Sequence, residues 1–399
     1  MTQTRKINIQ QLVEELKSQN LKKHDIVVPS SCLKFEDGRL IVKNTDGNNS
    51  LSELLQGTGI TTTDLALDVL DYCHRLIGDK LGIPRSYYDK MKDGHFNLLD
   101  TNVNHWLGES KSNYFLRSFI DKDEQTGFAR ALLSDRYNVI DNYDVLFAAL
   151  EAIRKSDTRL EIEYADITET KMYIRFVCPE VEVKAPDLLM NYRVPNGGGG
   201  SADTNTGIIS GFVISNSEVG AGSFSISPRA VVLACKNGMI FKDDAFNKVH
   251  LGAKMDEYSS ITWSQETKRK NYELIMAQVG DAIKTFISPE YLGARINRLM
   301  EAGLTQLKHP IDAVKNVCKV NSIGDEKEAE ILKYFVQGGD TTAFGVTQAI
   351  TFYAHETTNA DEQDAMEELS TQILESVPTF DKPFVTATRN RTKSNPALN

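Results

Sequence analysis

Leu160-Glu-Ile-Glu-Tyr164 and Lys171-Met-Tyr-Ile-Arg-Phe-Val-Cys178, separated by a polar turn, are the segments from which the fold is read. Both alternate with a period of two, and successive side chains of a strand point to opposite faces. Ile162, Met172, Ile174 and Phe176 are assigned to an inward face. Glu161, Glu163, Lys171, Tyr173 and Arg175 are assigned to an outward face, where opposite charges across a hairpin stabilise it modestly.

Further strands lie on both sides of this hairpin. Segments 114–120 and 128–133 read as strands joined by Asp121-Lys-Asp-Glu-Gln-Thr-Gly127. A helix opens at Asp141-Asn142 and runs through Val145, Leu146, Ala149, Leu150 and Ile153. Segments 208–215 and 222–234 form another pair across Asn216-Ser-Glu-Val-Gly-Ala221. Successive hairpins with one intervening helix predict an α+β fold, a curved antiparallel sheet with an inserted helix, and not parallel βαβ repeats.

Nearer the N-terminus, Ile9, Leu12, Val13 and Leu16 mark a short amphipathic helix, and Glu36-Asp-Gly38 a hairpin turn. Thr61-Thr-Thr-Asp64 is read as the cap of a helix carrying Leu65, Val69, Tyr72, Cys73 and Leu76 and ending at Gly78. Gly82-Ile-Pro84 opens a short helix around Ser86-Tyr-Tyr88, and another covers 98–107. From Trp263 the apolar period becomes 3.6, with Tyr272, Ile275, Met276, Val279, Ile283 and Phe286 on one stripe. Helices then run to about Leu374, with breaks near Pro310, Asn321 and Gly338-Gly339. The domain reading is 1–60 N-terminal helix and hairpin, 61–255 α+β core, 256–376 mainly helical domain and 377–399 flexible tail.

The chain has 399 residues, 41% hydrophobic and 25% charged, ordinary values for a globular protein. No run of about 18 apolar residues appears, so no membrane span is expected. The N-terminus has no continuous apolar region of the signal-peptide kind. Five scattered cysteines without a Cys-x-x-Cys pair fit reduced thiols and a cytoplasmic location. A net charge of -10 argues against coating nucleic acid with the whole surface, but leaves room for a local groove.

Chemical motifs are sparse. The glycine run inside Asn191-Tyr-Arg-Val-Pro-Asn-Gly-Gly-Gly-Gly-Ser201 lacks the lysine of a phosphate loop. Gly197, Gly198, Gly199 and Gly200 are read as a mobile loop able to close over a ligand, because consecutive glycines are costly to order. The seven histidines are dispersed, so no metal and no cofactor is expected. Asp135, Asp141 and Asp144 flank Arg136-Tyr-Asn138, which reads either as an ion-paired turn or as an acidic metal cluster. Basic and aromatic residues recur on and beside the proposed sheet. Tyr173, Arg175, Tyr192, Arg193 and Arg229, with Lys268-Arg269-Lys270, form the candidate nucleic-acid groove, alongside Tyr114, Phe115, Arg117 and Lys171. Arginines neutralise phosphates and aromatic rings stack on exposed bases. The competing reading of the same residues is cross-strand salt pairs with Glu161 and Glu163 plus aromatic core.

Several strings bear a resemblance: Leu81-Gly-Ile-Pro-Arg-Ser-Tyr-Tyr88, Asn102-Val-Asn-His-Trp106, Ala131-Leu-Leu-Ser-Asp-Arg-Tyr137 with Asp141-Asn142, Phe212-Val-Ile-Ser-Asn-Ser-Glu-Val-Gly220 and Ser227-Pro-Arg-Ala-Val-Val-Leu-Ala-Cys-Lys-Asn-Gly-Met239. Over about residues 60–355 the chain resembles a family of phage- and plasmid-borne proteins whose domain has no assigned function. More distantly, the sheet with its inserted helix is similar to the core of Rad52-like single-strand annealing proteins. That resemblance implies a ring-forming homo-oligomer holding single-stranded DNA in a basic groove, without metal or nucleotide. The expectation is therefore a non-enzymatic single-stranded DNA-binding or annealing protein of a phage or plasmid recombination or replication system. The alternatives are a metal-dependent phosphodiester hydrolase using Asp135, Asp141 or Asp144, and an acidic interaction protein binding a host partner.

Overall fold

Residues 4–43, 64–121, 126–137, 139–154, 159–197, 206–248 and 265–384 are described in a computed structural model. The chain divides into two compact units, each built from several segments. The first comprises Met1–Glu180, Ser210–Arg229 and Asp243–Ser288; the second comprises Val181–Ile209, Ala230–Lys242 and Pro289–Asn399. Three of the crossings fall inside strands, where no Pro- or Gly-rich linker marks them. The sequence reading placed its cuts near residues 60, 255 and 376.

In the first unit, β2 (Lys23–Pro29), β6 (Asn113–Asp121), β7 (Thr126–Ser134), β5 (Leu65–Val69), β4 (Arg39–Val42) and β3 (Leu33–Glu36) form one sheet in that order. Pairing is antiparallel except between β5 and β7. On one face Ile26, Val28, Leu116, Ile120 and Leu132 enter a core completed by helices. Those helices are α2 (Asp71–Lys80), α3 (Arg85–Lys92) and α4 (Phe96–Glu109), following α1 (Ile9–Lys22) in the chain. The β3 edge is occupied by α4: the Phe35 N–H donates to Asn104 Oδ1 at 2.7 Å, and Asn104 Nδ2 donates to the Phe35 carbonyl at 2.8 Å. One amide side chain thus supplies both bonds of a missing strand and blunts edge pairing.

The other sheet, whose strands β9, β10 and β11 run across the unit boundaries, orders β1 (Thr4–Ile7), β8 (Glu161–Ile167), β9 (Met172–Lys184), β10 (Gly207–Asn216) and β11 (Phe224–Val232), with β13 (Phe246–Lys248) also on β11. Two further helices belong to the first unit, α5 (Asn142–Arg154) and α7 (Gln265–Phe286). On α7, Val279, Ile283 and Phe286 of the expected stripe are buried, while the side chains of Tyr272 and Ile275 lie outside the described residues.

The second unit contains β12 (Gly238–Ile240) beside the end of β11, the short α6 (Pro186–Leu189), and α8 (Pro289–Gly303), α9 (Pro310–Val320), α10 (Asp325–Gly338), α11 (Ala343–Glu356) and α12 (Ala360–Ile373). Every residue of α11 from Ala343 to Ala354 is buried. Its buried hydroxyls are satisfied locally, Thr347 donating to the Phe344 carbonyl and Thr351 to the Gln348 carbonyl.

The α+β class, the antiparallel hairpins and the helical C-terminal region are as the sequence predicts, with the strands divided between two sheets. Two local expectations are corrected. Leu65–Val69 is strand β5, with Leu65 and Leu67 buried at a period of two; the helix begins at Asp71, and Gly78 sits inside it. The outward placement of Tyr173 and Arg175 is also wrong, because β9 is buried on both faces from Met172 to Cys178.

Candidate nucleic-acid interface

Two of the arginines assigned to a groove, Arg175 and Arg229, are interior ion pairs. Arg175 Nη1 lies 2.8 Å from Asp166 Oδ2, and both side chains are 0% exposed. The Arg175 guanidinium also sits 5.3 Å from the Tyr164 ring centroid and 5.6 Å from that of Tyr173. Arg229 Nη1 meets Glu163 Oε2 at 2.7 Å, and Tyr173 is buried. These three side chains are closed to a phosphate or base, which corrects their assignment to an open groove. Desolvation explains it: an arginine in a two-faced sheet needs a carboxylate partner.

Tyr192 and Arg193 belong to the second unit. Tyr192 is buried, its hydroxyl accepting from Asn237 at 3.4 Å, whereas Arg193 is exposed and its backbone N–H donates to the Gly338 carbonyl. On α7, Lys270 pairs with Glu266 one turn earlier at 2.8 Å; the side chains of Lys268 and Arg269 lie outside the described residues. Gly197 ends a short 3-10 turn, and Gly198, Gly199 and Gly200 also lie outside them.

The strings around Asp141-Asn142 and Asn216-Ser-Glu218 converge on a charged junction in the first unit. Arg117 on β6 forks onto Asp25 of β2 at 2.9 and 2.7 Å and reaches Asp141 at 2.9 Å. Arg130 of β7 meets Glu218 at 2.5 Å, and Lys23 meets Asp141 at 2.6 Å. Glu218 also accepts the Asn142 N–H at 2.6 Å, at the opening turn of α5, where the helix dipole favours a carboxylate. Asn216 Nδ2 donates to the Ile140 carbonyl and to Asn142 Oδ1, both at 2.8 Å.

Three cations here pair with three carboxylates, and Asp144 is a fourth carboxylate within reach of their charges. Burial pulls the Arg117 pKa down, but the Asp25 hydrogen bond and the charges of Glu218, Asp25 and Asp141 outweigh it and hold it above its ordinary value. Burial raises the Asp141 carboxyl, yet Arg117 and Lys23 bring it below the usual range. Asp144 moves up through burial and then the charge of Asp141. Asp141 is thus spent on internal cations, and no cluster of metal-ligand type is found among the described residues. The sequence reading missed Arg130, Glu218, Asp25 and Lys23 as members; the Asn-Ser-Glu-Val-Gly string was the available signal.

The surface with recognisable architecture is the α2–α3 hairpin. Four residues, Leu81-Gly-Ile-Pro84, join the two helices. Leu81 N–H caps back to the Ile77 carbonyl at 3.0 Å and Ile83 N–H to the Gly78 carbonyl at 2.9 Å. Gly82 takes φ +67°, which a residue without Cβ adopts at no steric cost. Gly78 meets the Tyr88 ring: a Cβ added there would lie 3.1 Å from Tyr88 Cδ2, so a small residue lets the helices touch. Below the turn Ile77, Ile83, Tyr88 and Met91 are buried, and His74 Nδ1 lies 3.0 Å from the Tyr88 hydroxyl. Above it Arg85, Ser86, Tyr87, Asp89 and Lys90 face solvent. The short turn, left-handed glycine and buried inner face are features this hairpin shares with helix-turn-helix motifs. The sequence reading found both helices of this motif near their place but not the motif; Gly78 four residues before Gly82, with Ile83, Tyr88 and Met91 beyond it, was the signal.

No family model matches the chain, and neither does any curated protein or solved structure. No helix among the described residues is long and apolar enough to cross a membrane.

Proposed function

We propose that this protein binds nucleic acid without catalysing a reaction on it, through the exposed face of α3. The observation that carries the reading is the α2–turn–α3 hairpin, whose second helix turns Tyr88 and Met91 inward and Arg85, Ser86, Tyr87 and Lys90 outward. Helices held this way are used to bring side chains to a nucleic acid. Residues 71–92 carry five cations (Arg75, Lys80, Arg85, Lys90, Lys92) against three aspartates (Asp71, Asp79, Asp89), in a chain whose net charge is -10. The local excess supplies attraction that the whole surface lacks.

The single-strand annealing expectation loses its basic floor with Arg175 and Arg229 inside, and the hydrolase expectation loses Asp141 to Lys23 and Arg117. A fluorescence-polarisation titration with single-stranded and duplex oligonucleotides, at low and physiological salt, tests the proposal. Affinity that falls with salt, and that falls further in an Arg85→Ala/Lys90→Ala variant of unchanged thermal stability, supports it. Absence of binding to either oligonucleotide at low salt overturns it.

A further inference from the structure

The chain contains the same helical hairpin twice, once in each unit, and the two copies differ in sign. In α9–α10 the Asn321 N–H donates to the Val317 carbonyl at 3.1 Å and the Ile323 N–H to the Cys318 carbonyl at 2.9 Å, repeating the bonds of the α2–α3 turn. Ser322, at φ 55°, stands where Gly82 stands. The second helices diverge. α10 opens with Asp325, Glu326 and Glu328, which a phosphate backbone repels, whereas α3 opens with Arg85-Ser-Tyr87. The backbone motif alone therefore does not define the ligand; the side chains of the second helix do.

Resting on the nucleic-acid reading above, we infer that the ligand is duplex DNA, with α3 lying in the major groove and Arg85, Ser86 and Tyr87 reading base edges. An α-helix with side chains is about 10–12 Å across and the major groove about 12 Å wide. In helix-turn-helix docking the N-terminal residues of the second helix contact the bases while the first helix crosses the backbone. Arg85, Ser86 and Tyr87 occupy that first turn and are exposed, with Tyr87 at 45%. Arginine forks onto guanine O6 and N7, and serine bonds to either partner of a pair. Lys90, nearly one and a half turns along α3, and Lys80, the last residue of α2, are both exposed cations suited to flanking phosphates.

Asp89 sits 3.6 Å from Arg85, with both side chains more than half exposed, so Arg85 exchanges a weak surface ion pair for a base. The acidic total charge limits non-specific attraction, which leaves base contacts to set the preference. Single-stranded nucleic acid fits less well, because aromatic stacking platforms along a basic channel are what hold it. On this hairpin the one exposed ring is Tyr87; Tyr88 is buried.

The experiment is enrichment of bound sequences from a random duplex library at physiological salt, followed by affinity measurements on the enriched duplex and the matching single strands. Wild-type protein is expected to enrich a short motif and to bind its duplex at least tenfold more tightly than either strand. Arg85→Ala, with unchanged thermal stability, is expected to weaken that binding about tenfold and relax one base position. Tyr87→Ala serves as the second surface variant, should Arg85→Ala alter the fold. Salt-sensitive binding to single strands that equals or exceeds binding to duplexes, unchanged by both variants, overturns this inference. The broader nucleic-acid reading survives that result and falls only if no oligonucleotide binds.

Discussion

Arg175 separates two accounts of the middle strands. Its guanidinium and the Asp166 carboxylate are both wholly buried, and Asp166 also meets Arg5 at 3.0 Å and accepts the Lys6 N–H, so removing Arg175 takes away one of the carboxylate's two cationic partners. With Arg5 still facing Asp166, Arg175→Ala is expected to lower the unfolding free energy by about 1–3 kcal/mol in chemical denaturation. A stable Arg175→Ala protein that has lost only nucleic-acid affinity would show the pair to be open to ligand. Glu218 makes the same argument from the junction: Glu218→Gln keeps the shape but strips the counter-charge from Arg130. Destabilisation on the order of 3 kcal/mol is expected, and a neutral result would refute the view that this carboxylate ties β7 to the opening of α5.

His74 gives a pH prediction at the same scale. Burial, aided by the charge of Lys92 and opposed by Asp71 and Asp89, pulls its pKa down to about 4. The unfolded chain titrates near 6.5, so the unfolded state binds the extra proton first. The stabilisation is fully present above about pH 6.5 and is lost as pH falls towards 4. Protection factors of the amides across 71–92, taken relative to the slower intrinsic exchange at lower pH, should fall between pH 7 and pH 5, and His74→Phe should remove that fall. Equal behaviour of the two proteins would show that His74 does not hold α2 against α3.

At the scale of elements, the hairpin depends on one backbone conformation. Gly82 holds φ +67° with open space around it, so the penalty for a larger residue is conformational and not steric crowding. Gly82→Val is expected to cost roughly 1–2 kcal/mol and to reduce nucleic-acid affinity by disordering α3, whereas Gly108→Ala, in α4 and equally open, should do neither. Circular dichroism melts and binding measured on both variants check this; equal loss from both would break the link between the turn and the ligand.

Much of the element pattern was legible in sequence, because period and cap signals are local. The helix at 142–154 announces itself by the spacing of Val145, Leu146, Ala149 and Ile153. The misreadings share a cause. In 65–76, Leu65, Val69, Tyr72 and Leu76 mimic a helical stripe, yet antiparallel pairing of Leu65–Leu67 with β4 and parallel pairing of Asp68 and Val69 with β7 make the first five residues a strand. Tyr173 and Arg175 alternate like a solvent face, but both faces of β9 are covered, and polarity there signals an internal partner, not water. Long-range pairing and the identity of the covering layer are not encoded at short range. For the same reason the Arg117–Glu218 junction, joining residues a hundred apart, was visible only as unconnected strings.

For the whole molecule, three segment crossings lie within strands, so the two units share no simple linker and are not separable by one cut. The net charge of -10 sets the electrostatic character of any binding. Attraction must come from a local patch and must be lost at modest salt, with preference supplied by side-chain contacts. The central claim is that α3 is the binding element. Hydrogen–deuterium exchange of the full chain, with and without a bound oligonucleotide, tests it most directly. The account predicts new protection concentrated in 81–92 and little change in β8 and β9. Protection confined to β8 and β9, with 81–92 unchanged, would contradict it.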